Sequence, residues 1–292
     1  MKFNHKLLEK KKIYLHHGDC LNMLQKLPDH SVQLVVTSPP YNIGQEYEKK
    51  LSLKQYLSFQ EKVIKECVRI LKPTGSICWQ VGNYKENGEI IPLDIMFYPI
   101  FKKYGLKLRN RIIWHYRSGL SHRKHFSKRY ETVLWFVKSD AYIFNLDPVR
   151  VPRRYKAKKN KPGSPLGKNP GDVWDIPRVN NLHIEKTKHP CQFPVGLIER
   201  LILALTNKND LVVDPLLGSG STAVACALHN RRCLGADYIK YYLEIAKGRI
   251  AQVKENCCQY RCYLNPKLYP HSRLNHELQR RTHRFTQKAR TA

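Results

Sequence analysis

The sequence has no run of 18 or more apolar residues, and so offers no candidate membrane span. Its opening residues, "MKFNHKLLEKKK", are basic but lack the apolar core of a secretory signal. Together these absences predict a cytoplasmic protein. Acidic residues are scarce: 23 Asp and Glu stand against 52 Lys and Arg in 292 residues, a formal net charge of +29 at pH 7. Such an imbalance favours a polyanionic partner, either nucleic acid or an anionic membrane surface. The cysteine count, nine, is odd, and Cys67, Cys78, Cys226 and Cys233 lie in apolar helix-like or strand-like surroundings. That argues against a disulfide framework and predicts reduced core thiols. No internal repeat is visible.

The positive charge that is present is clustered. Lys102 to Tyr130 holds ten Lys and Arg and no acidic residue. Leu146 to Lys168 holds eight against one acid, and Gln259 to the C-terminus again eight against one. The length suits one large α/β domain carrying a modest insertion.

Along the chain, "KIYLHHGDC" reads as a strand, "LNMLQKLP" as a short helix stopped by Pro28, and "SVQLVV" as a buried strand. "LSLKQYLSFQEKVIKECVRIL" carries Leu57, Val63, Ile64, Cys67 and Leu71 at helical spacing, ended by "KPTG". "SICWQVG", a helix at "LDIMFYPIFKKYGL" and a strand at "LRNRIIWHY" follow. "ETVLWFVK" and "AYIFN" read as an antiparallel strand pair. Leu146 to Lys188 is rich in Pro, Lys and Asn with little periodicity, and reads as a surface insertion. A strong helix at "GLIERLILALT" then opens a parallel-sheet run: strand "DLVVD", loop and helix "LLGSGSTAVACALHN", strand "RRCLGAD", helix "YIKYYLEIAKGRIAQVKE". Four segments result: 12–145, a basic insertion at 146–188, 189–256, and a basic tail at 257–292.

Two stretches carry chemistry. In "VVDPLLGSGSTAVACAL", Gly218 and Gly220 form a turn between strand and helix, where backbone amides at a helix start receive a ligand's polar end. Asp237 follows 19 residues after Gly218 at the close of the next strand, where a carboxylate accepts ribose hydroxyls. The third glycine of a dinucleotide fingerprint is missing. Asp214 before the turn would repel a pyrophosphate and suits an ammonium group such as the amine of S-adenosylmethionine. A glycine-rich turn with no ligand stays open on these residues alone. The second stretch is "TSPPYN", Thr37 to Asn42, which ends a buried strand in a hydroxyl, two prolines and an aromatic ring. A plain turn is its other reading.

"DPLLGSGST" resembles the cofactor signature of amino-group DNA methyltransferases, and "TSPPYN" resembles their [DS]PP[YFW] catalytic motif. "HGDCLNMLQKLPDHSVQLVV", "KHPCQFPVGLIERLI" and "GDVWDIPRV" resemble the family's connecting segments. With the catalytic motif first, the order resembles the β class. The resemblance spans about residues 12–250 and implies a doubly wound, mostly parallel α/β sheet with one antiparallel hairpin, circularly permuted in motif order. It implies S-adenosylmethionine as cofactor, held by Asp19, Asp214, Pro215, Leu216, Gly218, Ser219, Gly220, Ser221, Thr222 and Asp237. Asp19 also suits a helix N-cap. Leu216 stands where phenylalanine is usual, Phe193 where lysine is, and Asp237 where glutamate is.

The catalytic residues implied are Ser38, Pro39, Pro40 and Tyr41. The lone pair of an exocyclic amine is conjugated with its ring. Two acceptors aimed at its hydrogens, Ser38 Oγ and the Pro39 carbonyl, free that lone pair for attack. Pro40 holds Pro39 extended, and Tyr41 offers a ring to an extruded base. "SKRYETVLWF" resembles the segment whose aromatics approach that base, which brings in Tyr130 or Phe126. Arg117, Lys124, Arg153, Arg154, Lys156, Lys158 and Lys159 are the candidate DNA contacts, mostly to phosphates, and 146–188 the candidate target-recognition region. Double-stranded DNA is the implied partner, a companion restriction endonuclease a further one, and monomer or homodimer the assembly. A nucleoid-associated location follows.

Ser is typical of the cytosine-N4 enzymes and Asp of the adenine-N6 ones, yet "PPYNIG", "IIWHY" and "GDVWDIPRV" resemble the adenine branch. Adenine N6 is favoured, with cytosine N4 as the alternative. An RNA or protein-glutamine methyltransferase and a non-catalytic nucleic-acid-binding protein are the more distant readings. Cys258, Cys262, His271 and His276 in the tail are loosely spaced like a zinc site, but no metal is expected.

Overall fold

A computed structural model describes residues 12–42, 44, 50–117, 119, 121–153 and 164–254. The tail with its Cys and His residues lies outside them, as do Arg154, Lys156, Lys158 and Lys159.

One sheet of eight strands organises the chain, in the order β1(Ile13–His17), β10(Arg232–Asp237), β9(Leu211–Asp214), β2(Val32–Thr37), β3(Leu71–Val81), β7(Tyr130–Val137), β6(Lys107–His115), β8(Val173–Asp175). Every neighbouring pair from β1 to β3 is parallel, as is β6 with β8; β7 alone runs against the rest. This is the mostly parallel, doubly wound α/β sheet expected. The carboxyl ends of β1, β10, β9 and β2 share one edge at the point where strand order reverses, the place where such sheets bind ligands.

The strands sort their side chains by the two-residue period. Leu34, Val36, Cys78, Val133, Trp135 and Val137 face α4(Val195–Leu205), α5(Ser221–Leu228) and α6(Lys240–Lys254). Val35, Ile77, Trp79, Leu134, Phe136 and Val213 face α1(Cys20–Leu24), α2(Leu53–Ile70) and α3(Leu93–Lys103). Both faces are buried, so the central strands read as continuous apolar runs. Helix α2 begins with a reciprocal capping box between Ser52 and Gln55 and buries Val63, Ile64, Cys67 and Ile70. The core thiols Cys67, Cys78, Cys226 and Cys233 are buried and unbridged.

Three local readings change. "AYIFN" forms no strand, because both edges of β7 are already taken by its antiparallel partners β3 and β6. Phe144 instead stacks on Trp135, with ring centroids 5.6 Å apart. "NYKENGEI" forms a hairpin of β4(Asn83–Glu86) and β5(Glu89–Pro92), with Asn87 and Gly88 both at positive φ. Asn-Gly is the strongest two-residue hairpin signal. Part of 146–188 is built into the sheet: β8 pairs with β6, and Val149, Trp174 and Ile176 join the core. Three strand residues amid Pro and Gly show too little periodicity to reveal this.

Trp174 is 6 % exposed, donates from its indole to the Gly171 carbonyl at 2.8 Å and lies under the Arg200 guanidinium. Trp174→Ala is therefore expected to lower the unfolding free energy by about 3–5 kcal/mol in a denaturant titration. A solvated insertion would lose less than about 0.5 kcal/mol.

Candidate active site

Four strand ends deliver the site. β2 ends at Thr37, whose hydroxyl donates to Asp214 Oδ1 at 2.6 Å, across 177 residues of sequence. Thr222, at the start of α5, donates to the other oxygen at 2.6 Å, and the Leu216 amide to Oδ1 at 3.2 Å. Asp214 is fully buried, and burial pushes its pKa up to about 6. Asp214 does not line the cavity beside it, and neither do Gly220 and Thr222. They hold the turn from behind. Gly220 sits at φ 81°, and a Cβ there would meet Ala246 Cβ at 2.5 Å.

In front of them lies a cavity of about 390 Å³. Asp19, Ser38, Pro39, Pro40, Pro215, Leu216, Gly218, Ser219, Ser221 and Asp237 line it, all anticipated from sequence. Asp19 is also the N-cap of α1, accepting from the Leu21 amide at 2.9 Å. Asp237 accepts from the amides of Gly218 and Ile239, at 2.9 and 2.8 Å, and burial raises its pKa. His189, Cys191, Gln192 and Phe193 also line it, from the segment that resembles the family's stretch by the methionine end of the cofactor, and so do Phe59, Tyr238 and Tyr242, which were not assigned to it from sequence. Tyr238, 80 % exposed and directly after Asp237, was the most findable.

Arg249 on α6 was also missed. Its buried guanidinium donates to the Ser219 carbonyl at 2.8 Å and to Ser221 Oγ at 3.0 Å, and lies 3.5 Å from the buried Glu185 carboxylate. It fastens the glycine turn from below. An arginine within a basic surface helix gives no sequence sign of being turned inward.

The "TSPPYN" stretch is held at nearly every residue. Tyr56 donates to the Pro40 carbonyl at 2.7 Å. Asn42, at φ 58°, exchanges two hydrogen bonds of 2.7 Å with the Leu51 backbone. The Tyr41 hydroxyl donates to Glu131 Oε2 at 2.8 Å and receives the Gln80 amide at 2.7 Å. Among the described residues no hydrogen bond occupies the Pro39 carbonyl. Tyr41 itself is 7 % exposed and lines a second cavity of about 330 Å³ with Gln80, Trp114, Tyr116, Glu131 and Arg178. Ser38 lines both cavities.

Phe126 and Tyr130 line neither cavity, and Phe126 is entirely exposed. Tyr41, Trp114 and Tyr116 supply the aromatic surface instead. Of the candidate phosphate contacts, Lys124, Arg153 and Arg117 are exposed, and Arg117 also pairs with Asp175 at 2.6 Å. Among the described residues no group of His, Cys, Asp or Glu is arranged to hold a metal ion, and no helix is long and apolar enough to cross a membrane.

The doubly wound sheet places two cavities side by side, with Ser38, Cys191, Gln192 and Phe193 on both, the layout of an α/β enzyme with neighbouring sites. The chain belongs to the DNA methylase family, whose model matches residues 32–248. It is 48 % identical over 80 % of its length to the type II methyltransferase M.BglII of Bacillus subtilis, covering 67 % of that protein. It is 34 % identical over 80 % to the DNA adenine methyltransferase YhdJ of Escherichia coli K12, covering 81 %. The S-adenosyl-L-methionine complex of TTHA0409 from Thermus thermophilus superposes with a TM-score of 0.60 at 27 % identity, covering 82 % of this chain and 93 % of that one. The cytosine-N4-specific PvuII DNA methyltransferase shares the fold at a TM-score of 0.68 and 21 % identity, over 84 % and 91 % of the two chains. The protein is thus a DNA amino-methyltransferase.

His189 is 7 % exposed, and burial, then Lys186 and Arg249, lower its pKa from 6.5 to about 4. Between those values the unfolded chain binds more protons than the native state. The His189 contribution is therefore fully present above about pH 6.5 and is lost as pH drops through this window, by roughly 3 kcal/mol in full, while the raised pKa of Asp214 contributes in the opposite direction. Denaturation from pH 7 to 4 is expected to show the His189 part as the difference between wild type and His189→Gln, the wild type losing more stability on acidification than the variant.

Proposed function

We propose that the protein methylates the exocyclic amine of a base extruded from duplex DNA, with S-adenosylmethionine as methyl donor. The observation that carries this reading is Ser38, shared by the 390 Å³ cavity and the 330 Å³ cavity. One cavity then holds the donor and the other the base, and the acceptor group lies between them.

The residues present fit the donor. The volume lies within the range of small-molecule sites. Gly218, at φ 54°, leaves open a cradle in which a Cβ would come within 2.9 Å of His189 Nε2. Asp19 and Asp237 set carboxylates at the ends of β1 and β10, where they would receive the adenine amine and the ribose hydroxyls. When bound, S-adenosylmethionine supplies an electrophilic methyl group on a positively charged sulfur and departs as a neutral thioether. The protein's part is to aim the amine. Ser38 Oγ and the Pro39 carbonyl accept its hydrogens and release the lone pair, while Tyr41, Trp114 and Tyr116 surround the base and offset part of the unstacking cost. Lys124, Arg153 and the cations of 154–159 would grip phosphates, with salt-dependent affinity.

For the base itself, the balance moves from adenine to cytosine N4. The segments that resembled the adenine branch have architectural duties. Trp114 of "IIWHY" donates to the Ile176 carbonyl at 2.8 Å, Trp174 of "GDVWDIPRV" builds the sheet edge, and Asn42 of "PPYNIG" pins its loop to Leu51. Ser38, the residue type of the cytosine-N4 enzymes, is the one of these that touches both cavities. Adenine N6 keeps the support of the likeness to the Escherichia coli adenine methyltransferase. The type II methyltransferases among the relatives support a role beside a restriction endonuclease acting on the same site.

Unmethylated DNA incubated with labelled S-adenosylmethionine, then digested for nucleoside mass spectrometry, is expected to yield N4-methylcytosine. Ser38→Ala should lower the yield rate by about 10²-fold or more. N6-methyladenine would reverse the base assignment alone. Label in RNA only, or a Ser38→Ala rate equal to wild type, would overturn the mechanism.

A further inference from the structure

Most donors on the wall of the second cavity already have partners. The Gln80 amide is spent on Tyr41 and Glu131. The Gln192 amide donates to the Glu185 carbonyl at 2.8 Å, Lys186 to the His189 carbonyl at 3.1 Å and the Trp114 indole to the Ile176 carbonyl at 2.8 Å. Arg178 lines the same wall with its donors unspent. Its Nε is buried without a partner, and its guanidinium makes no hydrogen bond or ion pair to a described residue. A guanidinium carries five N–H groups in a planar fork, and leaving such donors unfilled away from water is costly. The sheet edge sets where this arginine stands. Ile176, just past β8, is buried; its amide donates to the His115 carbonyl at 3.1 Å while its carbonyl accepts the Trp114 indole. Pro177 follows with a fixed φ. The guanidinium then lies over the Tyr116 ring, with Cζ 5.7 Å from its centroid. That contact holds the charge at the cavity wall without using its N–H groups.

We propose that Arg178 reads the extruded base as cytosine, its guanidinium fork donating to the ring nitrogen N3 and the carbonyl oxygen O2. The proposal rests on the cytosine-N4 reading above. With the exocyclic amine aimed at Ser38 and Pro39, the edge of cytosine runs from that amine to N3 and then to O2. These are adjacent acceptors in one plane, the pattern that a guanidinium fork meets with parallel hydrogen bonds. Adenine held by its own amine presents N1 in place of N3 and a C–H in place of O2. One N–H of the fork would then face carbon. A site built to pair a polar group rejects the analogue that lacks it, because the site's own donor is left unpaired. Arg178 determines specificity and takes no part in methyl transfer. A cation at N3 and O2 draws electrons from the amine, and its hold weakens as the lone pair leaves the ring. Arg178 therefore holds the base and does not speed the chemical step.

Arg178→Met keeps an apolar stem beside Tyr116 and removes the fork; Arg178→Lys keeps the charge and also removes the fork. In both, kcat/KM for methylation of duplex DNA at cytosine should fall about 10- to 100-fold, chiefly through KM, as expected when binding rather than transition-state stabilisation is lost. A duplex with 3-deazacytosine at the target keeps the amine and O2 but offers a C–H for N3. On it the ratio of wild-type to Arg178→Met kcat/KM should shrink by about fivefold or more, since part of the contact is already gone. Affinity for a duplex with an abasic target, and for S-adenosylmethionine by calorimetry, should match wild type in both variants. A kcat/KM for Arg178→Met within about twofold of wild type, or a ratio unchanged by 3-deazacytosine, would overturn the role of Arg178 while leaving N4 methylation standing. Equal losses on cytosine and abasic duplexes would overturn it too, making Arg178 a phosphate contact. A fall in S-adenosylmethionine affinity in both variants would overturn it by making Arg178 structural. N6-methyladenine as the wild-type product would instead overturn the cytosine reading, and this proposal with it.

Discussion

The buried carboxylate of Asp214 is the joint on which the rest of the site depends. It accepts short bonds from Thr37, at the end of β2, and from Thr222, at the start of α5. Hydrogen bonds to an ionised group in a water-excluded setting are about twice as strong as neutral ones. They also have direction, so they fix where two loops leave the sheet. Thr37 precedes Ser38 and Asp214 precedes Pro215. One carboxylate therefore sets the starting point of both the acceptor loop and the glycine turn, although 177 residues separate them.

Around that joint the parts are rigid for different reasons. The acceptor loop is held by side chains from α2 and from the strands beside it, through Tyr56, Gln80 and Glu131. The glycine turn is held from below by the Arg249 guanidinium and from within by Asp237. Neither arrangement uses a flexible surface contact, and both bury their charges in pairs or hydrogen bonds, as buried charge must be. Placing a reacting amine against an acceptor is worth many orders of magnitude only when the geometry is held this closely.

Much of this was legible in the sequence. A strand of β-branched and apolar residues that ends at a turn, followed by a helix, gives parallel-sheet topology wherever the pattern repeats. It located β1, β2, β9 and β10 and placed ten of the anticipated residues at one cavity. What was illegible depended on tertiary partners. Asp214 looked like a ligand group because a lone Asp before a glycine turn has no visible partner in sequence; Thr37 and Thr222 come from elsewhere in the chain. Arg249 and Glu131 look like ordinary surface charges until the fold turns one beneath the glycine turn and the other toward Tyr41. The strand β8 is too short, and too rich in neighbouring Pro and Gly, for any periodicity to emerge. Phe126, by contrast, was over-read: an aromatic within a basic run need not face the site.

Asp214 couples the two halves of the site through Thr37 and Thr222. A double-mutant cycle of Thr37→Val and Asp214→Asn, read as calorimetric affinity for S-adenosylmethionine, tests it most directly. Each change should weaken binding, and the pair should be coupled by about 1–3 kcal/mol, the double variant binding no worse than the weaker single one. Effects that add to within about 0.3–0.5 kcal/mol would contradict it.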